Sequence, residues 1–176
     1  MRGRKRIFGL VILGAGILAW ALFRPERLWL NARVNESLPA TVSTAPAAGP
    51  SNSSPVVLAT GSFHGVAHKG VGTAAVYQLA EGKRILRFTN FETSNGPDVR
   101  VYLVATEDAF DSAAVKTAGF VEVGTLKGNI GDQNYELPAT LDLAQYRAVT
   151  IWCKRFSVNF ATAPLKTVQP PTVRNN

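Results

Sequence analysis

Three regimes of hydrophobic patterning follow one another along the chain. Residues 7–23 form an apolar run without a single charge. Residues 38–55 have no pattern and consist mainly of Pro, Ala, Ser, Thr and Gly. From residue 56 to 165, short apolar segments alternate with Gly, Pro, Asn and Asp clusters at near-regular spacing, the punctuation of an all-β domain. Strands are predicted near 56–63, 73–80, 84–91, 98–105, 120–126, 133–137, 148–153 and 156–162. The clearest is 98–105, where Val99, Val101 and Leu103 fall on one face and Arg100 and Tyr102 on the other. A short helix is predicted over 107–118, with Thr106 as N-cap and acidic residues in its first turn. About eight short strands in roughly 110 residues suit one core. They predict a sandwich or barrel-like antiparallel domain, because either limits exposed edges.

The first regime is preceded by Arg2, Arg4, Lys5 and Arg6. Seventeen uncharged residues are at the short end of what crosses a bilayer at about 1.5 Å per residue. Trp20 and Trp29 suit the far interface, and the basic flank puts the N-terminus in the cytoplasm. The expectation is a transmembrane anchor within residues 1–30, single-pass in the plasma (inner) membrane, with the C-terminal domain outside the cytoplasm. The rival is a cleaved signal peptide, since Ala19-Trp20-Ala21 fits the cleavage pattern.

Charge changes meaning once divided. The chain carries +7, but residues 1–30 hold six basic residues and one acidic, leaving +2 for all the rest. The basicity belongs to the membrane flank, and the outer domain has no basic stripe interleaved with aromatics. Nucleic acid is therefore not an expected partner.

The second regime reads as an extended linker over 31–55. Prolines stand at 39, 46, 50 and 55, and no charge occurs between 37 and 63. Eighteen residues at about 3.1 Å each would hold the domain on the order of 55 Å from the membrane. Asn35-Glu36-Ser37 and Asn52-Ser53-Ser54 are formal glycosylation acceptors. Residues 166–176, with Pro170-Pro171, read as a disordered tail.

Candidate chemistry centres on Cys153, the one cysteine of the chain. Exported domains usually carry cysteines in pairs or not at all. A single thiol is a packed core residue, an intermolecular link, a reactive thiol or a ligand. Around it the apolar positions run Val149, Ile151, Cys153 and then Phe156, Val158, Phe160, a change of phase that demands a bulge or a tight turn. Lys154 and Arg155 add positive charge that would favour the thiolate if the group is reachable. His64 and His68 are the two histidines. Their i, i+4 spacing would make a metal pair on a helix, but the glycines around them argue for a loop. Two histidines are too few for a structural zinc site. With Cys153 they would make three soft ligands for copper or a haem iron, and as ordinary polar residues they would make none. Gly70-Val71-Gly72-Thr73-Ala74-Ala75 formally fits a dinucleotide loop, yet lacks the strand and helix that loop requires, so it reads as a turn into a strand. Gly96-Pro97-Asp98 reads as a turn between strands. Asp108 and Asp111 read as solvated residues. No nucleophile elbow or nucleotide loop is present, and nothing identifies a hydrolase or a transferase.

A series of motifs then appears in order: Gly61-Ser62-Phe63, His68, Asn90-Phe91, Gly96-Pro97-Asp98, Val101-Tyr102-Leu103, Gly124-Thr125-Leu126-Lys127-Gly128-Asn129, Gly131-Asp132-Gln133-Asn134-Tyr135, Leu137-Pro138 and Ile151-Trp152-Cys153-Lys154-Arg155-Phe156. Together they resemble the DM-thirteen domain, a family of electron-transfer type, across residues 60–165. Residues 31–39 resemble the juxtamembrane part of its membrane-anchored bacterial members. The resemblance implies a β-rich, extracytoplasmic domain that in animals and plants accompanies DOMON domains, some of which bind haem or sugar. It implies a redox role for the cysteine, as a bare thiol or as ligand to a group such as haem or a metal, with His68 as a second contributor. No DOMON segment is present here, so a redox partner would be a separate protein. The alternatives are an envelope adhesion or partner-binding β-module with a structural cysteine, and a metal-binding envelope protein.

Overall fold

Alternating apolar side chains after residue 55 fold into two packed sheets. The computed structural model describes residues 2–23, 30–39, 55–79 and 82–168, with the side chains of the N-terminal helix described at 9–18 and 20. In chain order the elements are α1 (Arg2–Phe23), β1 (Arg33–Asn35), β2 (Val56–Ser62), β3 (His64–Gly65), β4 (Gly70–Gln78), β5 (Arg84–Thr93), β6 (Val99–Val104), α2 (Ser112–Ala118), β7 (Phe120–Thr125), β8 (Ile130–Leu137), β9 (Ala148–Cys153), β10 (Val158–Pro164) and β11 (Lys166–Thr167). A six-stranded sheet runs β1-β8-β5-β4-β2-β11 and a five-stranded sheet runs β3-β10-β9-β6-β7. Every pairing is antiparallel except β1 with β8, which is parallel.

The principal core lies between the sheets. Ala74, Leu86 and Phe88 enter it from one side and Val101, Leu103, Ile151 and Phe160 from the other. Period-2 alternation puts the remaining residues of β6 and β9 on the outer face. There Tyr102, Val104, Ala148 and Trp152 form a second cluster with Ala109 and Val115, the latter from α2. All six residues of β9 are therefore buried, with a sheet on one side and the segment bearing α2 on the other.

The eight predicted strands all form, and β1, β3 and β11 add to them. The helix is shorter than predicted. Its N-cap is Asp111, in extended backbone, whose Oδ1 accepts from Ala114 N at 2.7 Å. Thr106 instead donates its hydroxyl to the Asp108 carbonyl oxygen. No acidic residue occupies the first turn, because Asp111 caps the helix and Asp108 is turned towards His64. Gly70 to Ala75, predicted as a turn into a strand, lies within β4. At Gly72 the backbone takes a φ of +101° where the β4–β5 register shifts.

The N-terminal boundary also differs. Residues 31–39, predicted as the start of the linker, are stitched to the domain by β1. The cause is local hydrogen bonding that composition does not reveal. Arg87 donates to the Glu36 carbonyl oxygen and to Asn134 and Asp132, and the Glu36 carboxylate accepts from Lys127 Nζ and Asn134 N. The rest of the predicted linker through 54, apart from Pro55, and the tail beyond 168 lie outside the described residues. α1 covers the apolar run. Among the described residues, which within α1 carry side chains only at 9–18 and 20, no helix is long and apolar enough to cross a membrane.

Candidate functional site at one end of the sandwich

Cys153 closes β9, opposite Val99 of β6 and Val158 of β10. Its side chain shares the inter-sheet face with Ile151 and is fully buried in the principal core. The predicted phase change is produced by the turn at 154–157, where Ser157 has a φ of +54°. A separate register shift follows in β10 between Asn159 and Ala161. The turn puts Lys154, Arg155 and Phe156 in solvent while Cys153 stays inside. Lys154 N donates to the Asp98 carbonyl oxygen at 2.8 Å, and its Nζ meets Glu122 Oε2 at 3.2 Å.

Beside this turn, residues 30–32, 94–100 and 125–129 line a cavity of about 650 Å³. Its wall is an amide network. Asn129, nearly buried, accepts from Ala32 N at 2.7 Å and donates to Asn31 Oδ1 at 3.0 Å and to the Thr93 carbonyl oxygen at 3.1 Å. Asn95 donates to the same Asn31 oxygen. The approach needs glycine at two places. A Cβ on Gly128 would stand 2.5 Å from the Ala32 carbonyl oxygen. Gly131 has a φ of +104°, and a Cβ there would run into the Val34 carbonyl oxygen.

The charged rim is paired. Arg100 donates to Asp98 Oδ1 at 2.6 Å and to Glu122 Oε1 at 2.9 Å. The Asp98 hydrogen bond, with the charges of Asp98 and Glu122, holds the Arg100 guanidinium above its usual pKa. Behind it Tyr102 stacks on Phe120, with ring centroids 4.3 Å apart. Burial, aided by Glu122, pushes the Tyr102 phenol up.

The two histidines part company. His68 is exposed and lies on the Phe160 ring at 4.0 Å between centroids. His64 Nε2 sits 2.9 Å from both carboxylate oxygens of Asp108, which is thus a partnered rather than a merely solvated residue. Among the described residues no group of three or more His, Cys, Asp or Glu side chains is placed to hold a metal ion. A ligating thiol needs open space on its sulfur and a second ligand. Cys153 is packed among apolar side chains and the cavity lining does not include it. The residues present therefore do not fit a haem iron or a metal held by Cys153, His64 and His68.

Of the residues singled out in the sequence, Cys153 and Lys154 lie at the end of the sandwich where Asp98 lies, with Arg155 next in the turn, His68 packs on Phe160, and His64 faces Asp108 instead. Sequence reasoning read Gly96-Pro97-Asp98 as a turn and missed the amide network, whose members are 98 residues apart at Asn31 and Asn129. The available signal was the likeness of residues 31–39 to a juxtamembrane segment.

No curated protein and no solved structure matches the chain. A family model described as Electron transfer DM13 matches residues 62–165, from the end of β2 to the residue before β11. That span is more than half of the chain and contains Cys153, the 154–157 turn and most of the cavity lining, and the chain belongs to the Electron transfer DM13 family.

Proposed function

We propose that this protein is a domain of electron-transfer type, tethered outside the cytoplasm by α1, that exchanges electrons with a separate redox protein at the Cys153 end of the sandwich. The observation that carries this reading is convergence. Three of the motif groups that mark the family, Gly96-Pro97-Asp98, the stretch at 124–129 and the stretch at 151–156, meet at one end of the fold. The tether is supported by α1 itself. Leu10, Val11, Ile12 and Leu13 are consecutive and each is at least 58% exposed. Apolar side chains on all faces of a helix call for an apolar surrounding.

Burial of Cys153 favours a second reading, a partner-binding module whose cysteine is packing. One experiment separates the two. Membranes carrying the full chain are poised over a range of potentials, the protein is denatured, and the alkylatable fraction of Cys153 is measured beside the visible spectrum of the purified protein. The electron-transfer reading expects a potential-dependent change in the thiol or an absorbing group that titrates. A thiol that stays reduced throughout, with no absorbing group, leaves the partner-binding module. The tether has its own test. A reporter fused after Asn176 should be active only in its exported form, and activity of a strictly cytoplasmic reporter there would refute it.

A further inference from the structure

The path of the chain before β2 fixes more than a tether. Six residues separate Phe23, the end of α1, from Leu30, which already lines the cavity. Fully extended, that connection reaches at most about 25 Å. Directly after it, Ala32 is held by Asn129 and Asn31 by Asn95 and Asn129. Residues 40–54 therefore join β1 to β2, two strands of the same sheet, and do not lie between helix and domain. The far end of the sandwich lies about 26 Å further along the eight residues of β8.

The near end has the surface of an interfacial contact. Phe156 projects from the 154–157 turn at 65% exposure, and Leu30 is exposed to the same extent. The two belong to one end, because Lys154 N bonds the Asp98 carbonyl and Asp98 lines the cavity with Leu30. Lys154 and Arg155 precede Phe156. An aromatic ring preceded by two long basic side chains, one of them paired with Glu122, suits the boundary between headgroups and acyl chains.

We propose that this end of the sandwich rests on the bilayer surface, with Phe156 and Leu30 entering the interface. The cavity bounded by Asn31, Asn95, Asp98 and Arg100 is then held at headgroup level. This rests on the reading of α1 as the membrane tether.

The test uses the full chain in phosphatidylcholine–phosphatidylglycerol vesicles, labelled with an environment-sensitive thiol probe at Phe156→Cys or, at the opposite end, Lys83→Cys. The unsubstituted chain measures labelling of Cys153. Vesicle flotation after alkaline carbonate reports the tether independently. The expected result is that both variants float, and that the probe at 156 is blue-shifted and quenched several-fold more by headgroup nitroxide lipid than the probe at 83. Aqueous iodide should show the reverse order. Floating protein whose probe at 156 is quenched by iodide as strongly as that at 83 overturns the docking while keeping the tether. Failure to float overturns the tether reading, and the docking with it.

Discussion

Asn129→Ala is the most informative single perturbation of the strap that holds residues 31–39 to the sandwich. The side chain makes three hydrogen bonds, to Ala32 N, to Asn31 Oδ1 and to the buried Thr93 carbonyl oxygen. A neutral hydrogen bond contributes about 1 kcal/mol net, and a buried acceptor left without its donor costs about 1–3 kcal/mol. Truncation should therefore destabilise the domain by about 3 kcal/mol. That is a large part of the ~5–15 kcal/mol of a typical domain, and corresponds to a fall in Tm of about 10–15 °C. Asn95→Ala serves as the contrast, since its bond to Asn31 is exposed and its loss should cost less than about 0.5 kcal/mol. Asn129→Asp, which keeps the acceptor for Ala32 N but turns a buried carboxylate oxygen on the Asn31 and Thr93 acceptors, should cost at least as much as Asn129→Ala. The assay is denaturant unfolding beside limited proteolysis at 30–39. An Asn129→Ala variant within about 0.5 kcal/mol of the parent, with the segment equally protected, would refute the strap and remove the geometric basis of the membrane-facing orientation.

Cys153→Ala should cost about 1 kcal/mol and Cys153→Ser more, because a hydroxyl in an apolar core lacks a partner; equal stabilities, or rapid native alkylation, would contradict the burial. Burial pushes the Tyr135 phenol above its ordinary pKa, well into strong alkali. Its stabilising contribution is present below about pH 10 and lost as pH rises towards the folded value, so the 295 nm difference between the parent and Tyr135→Phe should show no tyrosinate at pH 10. At Glu36 burial acts upward but is outweighed by Lys127, Asn134 N and Arg87, leaving the carboxyl below its usual range. Its contribution is present above the ordinary carboxylate pKa and lost as pH falls through the folded value. The Asn134 amide resonance should report that titration, and an ordinary or raised midpoint would refute it.

What was legible in the sequence is what period-2 patterning encodes. Val99, Val101 and Leu103 were correctly faced inward because alternation fixes the face of every residue in a strand. The phase change across Lys154 and Arg155 correctly demanded a turn. The strap escaped. Arg33, Val34 and Asn35 are too few to show alternation, and their pairing with β8 depends on Arg87, Asn129 and Glu36, which are distant or chemically unremarkable in sequence. The depth of Cys153 was left open between a packed core residue and a reachable thiol, because its neighbours Lys154 and Arg155 are charged; the turn sends them outward while the strand end stays under the second sheet. Asp108 was misjudged for a similar reason, since its partner His64 is 44 residues away.

The strands that border these sheets have a consequence for crowding. The six-stranded sheet ends in three residues at β1 and two at β11, and one border of the other sheet is the two-residue β3. Such stubs offer a neighbouring chain almost no row of free amides to copy. The longer border, β7, carries Glu122, which with Arg100 and Lys154 sets a charged cluster beside that edge. The fold can thus be packed densely side by side in a small area without its sheets joining into fibres.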